Sequence, residues 1–367
     1  MSRVVLAALI SLVLGAAGPA RALDSSLGTL SVTRVVGGLS EPWALGFLPE
    51  GGVLITERAG RLLHVGADGT ATRLGGVPQV ADVGQGGLLD LLIPRDFAST
   101  RTLFLTYSAR QGSGQGTAVA RATFAEGARS LTGVQTIFEM RPGTRGGRHF
   151  GSRIVEGRDG FLYVTVGDRG DGPNAQDLGT EAGSVLRIAK DGSLPPDNPF
   201  AMQAGAAPAI WSYGHRNPQG ATLDDRGNLL VIEHGARGGD EVNVVRRGVN
   251  YGWPVISYGV NYNGSRIGQG TAAPGLAQPA HYWDPSIAPS GATVSDGRLF
   301  ADWRGDLFVG SLKFGLISRL ERDGDGWREV ERLQGPETER VRDIRTGPDG
   351  ALWFLSVTNG ALYRISR

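Results

Sequence analysis

The sequence has no cysteine among its 367 residues, which excludes disulfide bonds and thiolate metal sites. Histidine is scarce, with five residues, so each one is worth testing as an acid or a base. Beyond the N-terminal segment no apolar run is long enough for a transmembrane helix, and long helical periodicity is hard to find. The 58 glycines, set between short apolar runs, favour an all-β fold.

Residues 1–22 have the pattern of a secretory signal peptide. Arg3 supplies the positive charge, residues 4–17 are apolar, and Ala20-Arg21-Ala22 fits an A-x-A cleavage site. The apolar run is too short for a membrane anchor. We expect cleavage after Ala22, export, and a mature domain over residues 23–367.

The net charge gives no support to nucleic-acid binding. The chain has 37 basic and 36 acidic residues. Removal of residues 1–22 takes away Arg3 and Arg21 and no acid, so 35 basic residues face 36 acidic ones. The mature protein is therefore nearly neutral.

One short pattern recurs along the chain: a turn, often with Gly, then one residue, then Leu and further apolar residues. The leucines of the six copies are Leu54, Leu103, Leu162, Leu229, Leu307 and Leu352. Repeats at this spacing predict a β-propeller of six four-stranded antiparallel blades. Residues 29–36 alternate as a strand does, and we expect them to pair with the last blade near residues 341–365. A sandwich of unrelated hairpins explains six copies less well.

A His and an Asp flank the hairpin of the third repeat. His149 precedes the first strand and Asp168 follows the second. Such a pair can act as a base and its orienting carboxylate. On its own, this spacing is a weak motif. The alternative is that the histidine has no catalytic role and forms its hydrogen bonds within a loop.

Polar residues at the starts of other blades would converge on the central channel. Gln85 lies among glycines before blade two, where a tight turn is the alternative reading. Arg216 and Asn217 lie in a dense polar segment before blade four, which favours ligand binding. Residues 233–243 combine carboxylates, an amide and glycines, a set suited to Ca²⁺, although a solvated turn would look the same.

Basic residues of blades four, five and six form a second candidate cluster. Arg340 and Arg342 are two residues apart and would share one face of a strand. If they face the channel with Lys313 and Arg216, the four cations call for a polyanionic ligand. Alternatively, the Arg pair lies on the outer face beside Glu337 and Glu339.

These segments resemble the soluble quinoprotein glucose/sorbosone dehydrogenase family, in particular its periplasmic aldose sugar dehydrogenases, from about residue 30 to 365. The most specific pieces are residues 84–88, His149 with residues 151–153, residues 213–219, residues 240–243 with 250–254, residues 311–313, and residues 340–343. The resemblance implies a six-bladed propeller that binds pyrroloquinoline quinone (PQQ) over its channel.

The resemblance also implies roles for individual residues. His149 is implied as the general base that takes the proton of the anomeric hydroxyl while the C1 hydride passes to the quinone, Asp168 as its orienting residue, and Arg216 as a further catalytic residue. The implied cofactor contacts are Gln85, Arg216, Asn217, Tyr262, Ser311, Leu312, Lys313, Arg340, Val341 and Arg342. The implied calcium ligands are Gly235, Ala236, Glu241 and Tyr251.

The sequence also departs from the family in places. Arg148 precedes the base where the soluble glucose dehydrogenases have an acid, and their long insertions and paired substrate aromatics are not evident. These departures favour a broad aldose specificity and a monomer or weak dimer. We expect a periplasmic enzyme that oxidises aldoses at C1 to lactones and passes electrons to an unidentified acceptor. A calcium-dependent propeller lactonase and a non-catalytic sugar- or partner-binding propeller are the alternatives.

Overall fold

The computed structural model describes residues 21–367, which form six β-sheets arranged as the blades of a propeller. The first two strands, which pair with each other, are β1 (Arg21–Ser25) and β2 (Gly28–Val36). Blade one contains β3 (Pro42–Phe47), β4 (Val53–Glu57), β5 (Arg61–Val65) and β6 (Ala71–Leu74). Blade two contains β7 (Leu88–Leu92), β8 (Thr102–Gln111), β9 (Gly114–Thr123) and β10 (Thr132–Glu139). Blade three contains β11 (Ile154–Glu156), β12 (Leu162–Val166), β13 (Ser184–Ile188) and β14 (Ile210–Tyr213).

The second half of the chain continues the ring. Blade four contains β15 (Pro218–Leu223), β16 (Leu229–Glu233), β17 (Asp240–Val245) and β18 (His281–Trp283). Blade five contains β19 (Pro289–Val294), β20 (Leu307–Ser311), β21 (Leu316–Asp323) and β22 (Gly326–Gln334). Blade six contains β23 (Val341–Thr346), β24 (Leu352–Ser356) and β25 (Ala361–Ser366). The helices of the described chain are α1 (Phe97–Thr100) and the 3₁₀ turns Gly172–Gln176, Ala301–Trp303 and Pro336–Thr338.

Strand β2 closes the ring, as the alternation of residues 29–36 predicted. It pairs antiparallel with β25, with Val32 opposite Ile365. Because β1 adds a strand outside β2, this sheet has five strands in the order β1-β2-β25-β24-β23, whereas the other blades have four. The prediction of a six-bladed propeller is confirmed, and the closure gives blade six its fourth strand from the N-terminal part of the chain.

The repeated leucines all lie on the second strand of a blade, namely β4, β8, β12, β16, β20 and β24. These strands are buried on both faces, as the run Val53–Glu57 shows, because neighbouring blades pack face to face. The apolar cores accordingly lie between blades. One of them joins Leu54 of blade one to Leu103 of blade two.

The first strand of each blade faces the central channel. The strands β3, β7, β11, β15, β19 and β23 contact one another in sequence around the ring. The segments that lead into these strands therefore meet at one mouth of the channel. In residues 21–367 no helix is long and apolar enough to cross a membrane.

Candidate active site

A cavity of about 280 Å³ lies at this mouth of the channel. All six blades contribute residues to its lining. Blade three contributes Phe150 and Gly151, which precede its first strand, β11. Its polar lining consists of Glu41, Arg58, Gln85, Asn217, Gln219, His234, Arg340 and Arg342. Trp43, Leu89, Phe150 and Leu312 supply apolar surface. The predicted residues Gln85, Asn217, Leu312, Arg340 and Arg342 are thus brought together.

His149 lies at the edge of this cavity and contacts Asp168. Its backbone has φ of 54°, a left-handed conformation uncommon for a residue with a side chain. Its N–H donates to Oε1 of Gln85 at 2.8 Å, which ties it to the lining. Nδ1 of His149 lies 2.6 Å from Oδ1 of Asp168. The hairpin therefore forms the predicted pair.

The Asp168 carboxylate is buried and accepts from three directions. Oδ1 faces His149 and also accepts the N–H of Gly170 at 2.6 Å. Oδ2 accepts the indole N–H of Trp253 at 2.8 Å. Because both carboxylate oxygens accept, the proton between the pair lies on Nδ1 of His149. Nε2 of His149 then keeps a lone pair that can take a proton.

Arg342 presents a buried cation to the cavity. Its Nη2 donates to Oε1 of Gln219 at 2.7 Å, and its guanidinium lies 4.1 Å from the ring centre of Trp43. Nε is buried and has no hydrogen-bond partner among the described residues. Burial and the neighbouring Arg153 hold the pKa of this guanidinium well below its usual range. A buried cation in this state favours an anion in the cavity.

Arg340 reaches the same cavity by a route that strand alternation did not predict. It precedes β23 and has φ of 47°, so it is not part of the extended strand that contains Arg342. Its Nη1 donates to the carbonyl of Leu312 at 3.2 Å, and the side chain is exposed. Because of this turn, both arginines face the channel mouth. The alternative, in which the Arg pair lies on the outer face beside Glu337 and Glu339, is therefore wrong.

Arg153 fixes the floor beneath Arg342. It is 1% exposed and donates from Nε to the carbonyl of Gln219 at 2.6 Å. Its Nη1 lies 3.0 Å from Oδ1 of Asp343, and its Nη2 donates to the carbonyl of Arg342 at 3.0 Å. These contacts connect blades three, four and six on the channel axis. The positions of Gln219 and Arg342 are therefore set by a buried ion pair.

Arg216 lies on the far side of the cavity wall, in the segment before β15. Its N–H donates to Oε2 of Glu233 at 2.6 Å, and its carbonyl accepts the N–H of Asp168 at 2.8 Å. Its guanidinium donates to the carbonyls of His234 and Gly235. Arg216 thus connects the His149–Asp168 pair to the turn after β16.

His234 contributes a neutral imidazole to the cavity. Its Nε2 lies 2.6 Å from the carbonyl of Pro289, which can only accept, so Nε2 carries the proton. Burial, with the cationic Arg216 and Arg342 nearby, lowers the pKa of His234 to about 3. This side chain therefore adds no positive charge to the cavity at neutral pH.

The predicted calcium ligands lie around a narrow cleft next to the cavity. Gly235, Glu241 and Tyr251 line it together with Arg216 and Trp253. Glu241 is opposite Glu233 in the strand pair β16–β17, and Nδ2 of Asn243 donates to both carboxylates. Burial and the charge of Glu233 raise the pKa of Glu241 to about 8.

This donor set fits a hard cation. The carbonyls of His234 and Gly235 already accept hydrogen bonds from the positive guanidinium of Arg216. The carboxylate of Glu241 has the carboxylate of Glu233 as its neighbour, and a cation between them would reduce their repulsion. Ala236 is buried and lies outside the cleft lining. No group of three or more His, Asp or Glu side chains suited to a metal ion is found in residues 21–367.

Besides Arg216, four of the residues predicted as cofactor contacts lie outside the cavity lining of the described chain. Lys313 is exposed, with Nζ 4.7 Å from the ring centre of Phe314. Tyr262 is 75% exposed on the loop between β17 and β18. The Ser311 hydroxyl donates to the carbonyl of Ile287 at 2.6 Å, and Val341 packs in the core between blades five and six. Their contact with a cofactor remains a prediction.

Comparison with known proteins gives the family. A family model described as Glucose / Sorbosone dehydrogenase matches residues 39–364. The chain belongs to the glucose/sorbosone dehydrogenase family. One relative in this family, the Escherichia coli aldose sugar dehydrogenase YliI, is 40% identical over 352 residues, which cover 94% of this chain and 95% of the relative.

Solved structures of family members superpose on nearly the whole ring. A crystal structure of a glucose dehydrogenase has a TM-score of 0.89 at 41% identity and covers 92% of this chain and 99% of its own. The PQQ-bound form of aldose sugar dehydrogenase from Streptomyces coelicolor has a TM-score of 0.76 at 27% identity. This match covers 95% of this chain and 99% of the Streptomyces coelicolor chain. The expected resemblance to this family is confirmed.

Sequence reasoning missed several residues that build the site. Arg153 was seen only as part of a motif, and Glu233 only as part of a possible cation loop. Trp253 was named only within the segment of residues 250–254, and its indole donates to Asp168. The pattern that contains Trp253, an Asn-Tyr-Gly-Trp-Pro turn, indicates rigidity but gives no partner for the indole.

Proposed function

We propose that this protein oxidises aldose sugars at C1 to the lactone, with PQQ as the cofactor and Ca²⁺ as its metal. Membership of the family and the 40% identity to an aldose sugar dehydrogenase make the chain a sugar dehydrogenase of the aldose or glucose type, an oxidoreductase. The observation that carries the finer proposal is the His149–Asp168 pair at the edge of a cavity that also holds buried Arg342, whose Nε has no hydrogen-bond partner among the described residues.

His149 would be the general base of the reaction. Asp168 keeps the proton on Nδ1, so Nε2 accepts the proton of the anomeric hydroxyl as the C1–H bond breaks. The C1–O bond becomes a carbonyl, and the two electrons leave C1 as a hydride. Asp168 then stabilises the imidazolium that forms, as an orienting carboxylate does.

The cavity fits an anionic planar cofactor. Arg340 and Arg342 would hold carboxylates of PQQ, and Gln85 and Asn217 offer amide groups nearby. Gly235, Glu241 and Tyr251 would hold calcium in the adjacent cleft. When bound, the quinone supplies the hydride acceptor and calcium supplies a Lewis acid. Arg216 would face both groups from between the two sites.

We also propose export to the periplasm, as the N-terminal sequence indicates. Most of the predicted signal peptide lies outside the described residues. Cleavage after Ala22 would remove the first two residues of β1 and keep Leu23, whose side chain is buried between blades five and six. The crystal structure of the E. coli relative is described as that of a soluble aldose sugar dehydrogenase.

Reconstitution tests the proposal directly. Apoprotein is mixed with PQQ and Ca²⁺, and reduction of an electron-accepting dye is followed with a panel of mono- and disaccharide aldoses. We expect reduction that requires both additions and yields lactone. Absence of dye reduction with every sugar would overturn the proposal, and sugar lactone hydrolysis without PQQ would support the lactonase alternative.

A further inference from the structure

Trp253 contacts the proposed base through its carboxylate partner. The indole Nε1 lies 2.8 Å from Oδ2 of Asp168, the oxygen that does not face His149. Asp168 is 1% exposed, so water cannot easily replace this donor. The indole N–H is therefore the partner that occupies the second carboxylate oxygen.

The turn that carries this indole is held in place by blade three. The backbone N–H of Trp253 donates to the carbonyl of Gly214 at 2.9 Å, and the backbone carbonyl of Trp253 accepts from Nε2 of Gln176 at 2.6 Å. The side-chain amides of Gln176 and Asn250 bond each other in both directions, at 2.8 and 3.1 Å. The turn that carries Trp253 therefore cannot shift without breaking contacts to blade three.

A carboxylate fixed at one oxygen only can rotate about its Cβ–Cγ bond. Rotation of Asp168 would move Oδ1 out of line with Nδ1 of His149 and free the imidazole to turn. With Gly170 on Oδ1 and Trp253 on Oδ2, the carboxylate plane is set from both sides. Charge-assisted hydrogen bonds such as these are the strong ones in a buried site.

We propose that Trp253 is a positioning residue for the sugar oxidation, acting through Asp168 on His149. This inference rests on the proposed function. Its indole N–H, and not its bulk alone, would keep the carboxylate oriented so that Nδ1 of His149 is held and Nε2 points at the substrate hydroxyl. The loop between β17 and β18 thereby contributes to a base that blade three carries.

A double-mutant cycle on the PQQ- and Ca²⁺-loaded enzyme tests this coupling. Trp253→Phe keeps an aromatic ring and removes the donor. We expect kcat to fall about tenfold to a hundredfold, as for loss of one hydrogen bond to a charged group, with KM little changed. In the Asp168→Ala background the same substitution should change kcat less than about twofold. An equal loss in both backgrounds would overturn the inference.

Trp283→Phe is the matched control. Its indole also donates to a carboxylate, Oε1 of Glu329 at 3.3 Å, on outer strands of blades four and five. We expect its kcat to match that of the wild type. A loss equal to that of Trp253→Phe would point to a general effect of removing an indole and would count against a specific role.

Apoprotein NMR provides a readout independent of turnover and of folding of the Trp253 variant. The chain has seven tryptophans, so the indole N–H signals can be resolved and assigned. The Trp253 signal should move in Asp168→Ala and stay in place in a variant of an outer acid such as Glu126→Gln. An unmoved signal in Asp168→Ala would overturn the inference. A wild type without sugar oxidation would overturn the proposed function, while the NMR result would still decide the contact.

Discussion

The guanidinium of Arg342 lies 4.1 Å from the ring centre of Trp43, and its buried Nε has no partner among the described residues. The contact joins blade six to blade one at the bottom of the cavity. The ring face stabilises the cation in part, and Gln219 takes one N–H. The remaining hydrogen-bonding capacity is available to a ligand in the cavity.

Arg342→Met should weaken cofactor binding. Methionine keeps an unbranched stem over Trp43 but removes the charge, so the Kd for PQQ should rise about tenfold to a hundredfold. Titration of apoprotein with PQQ, followed by fluorescence, measures this. Arg332→Met, at an exposed pair with Glu329 on β22, is the control and should keep the wild-type Kd. A wild-type Kd in Arg342→Met would remove this residue from the cofactor site.

His149→Gln should separate binding from turnover. The backbone N–H of residue 149 still reaches Gln85, so the local turn is kept, but the base is lost. We expect sugar turnover to fall about 10²- to 10⁴-fold, with the Kd for PQQ little changed. His64→Gln, on an outer strand of blade one, should retain full turnover. Near-wild-type turnover in both His149→Gln and His149→Ala would exclude this residue as the base.

Calcium should stabilise the apoprotein in the absence of cofactor. At a free concentration of 100 times Kd the gain in free energy of unfolding is about 2.7 kcal/mol for one site. Calorimetry with and without a chelator measures it. Glu241→Gln should lose most of this gain, whereas Glu126→Gln, at an exposed turn of blade two, should keep it. An identical gain in Glu241→Gln would place the ion elsewhere.

The stability of the protein should fall as the pH decreases through about 6.5, in part because of His281. Burial lowers the pKa of His281 below its usual value, although Trp327 and Glu329 act in the opposite direction. The unfolded chain takes up a proton below about pH 6.5 that the folded imidazole resists, so unfolding gains from acidification. Urea unfolding at pH 7, 6 and 5 measures the slope.

His281→Gln should flatten this slope. Glutamine can still donate to the carbonyl of Trp327, the present partner of Nδ1, and does not titrate. If His281→Gln and the wild type lose stability in parallel between pH 7 and 5, burial of this imidazole is not the cause.

The ring could be predicted from the sequence because its repeats are local. Each Leu of the repeated pattern lies on the second strand of a blade, which is buried between neighbouring blades. The need for apolar residues on that strand produces the same sequence pattern six times. The closure by residues 29–36 was visible for a similar reason, since a strand with one buried face alternates. Register and blade order then follow from the antiparallel connections.

Contacts within the site could be predicted only between residues that are close to each other in the sequence. His149 and Asp168 share one hairpin, so their contact could be proposed. Trp253 and Asp168 are 85 residues apart, and no local pattern links an indole to a distant carboxylate. Arg340 reaches the cavity through a positive φ, and Tyr262 points to solvent, which are outcomes of turn geometry that residue types do not reveal.

The pairing of β2 with β25 places the earliest and the latest parts of the ring in one sheet. During synthesis, β2 can pair only with β1 until residues near the C terminus emerge. Arg340 and Arg342 belong to that same sheet, so the wall that would receive an anionic cofactor is the last to be assembled. A truncation of β25 would therefore abolish cofactor capture without removing a single lining residue, and a bound cofactor would act as a latch on the finished ring.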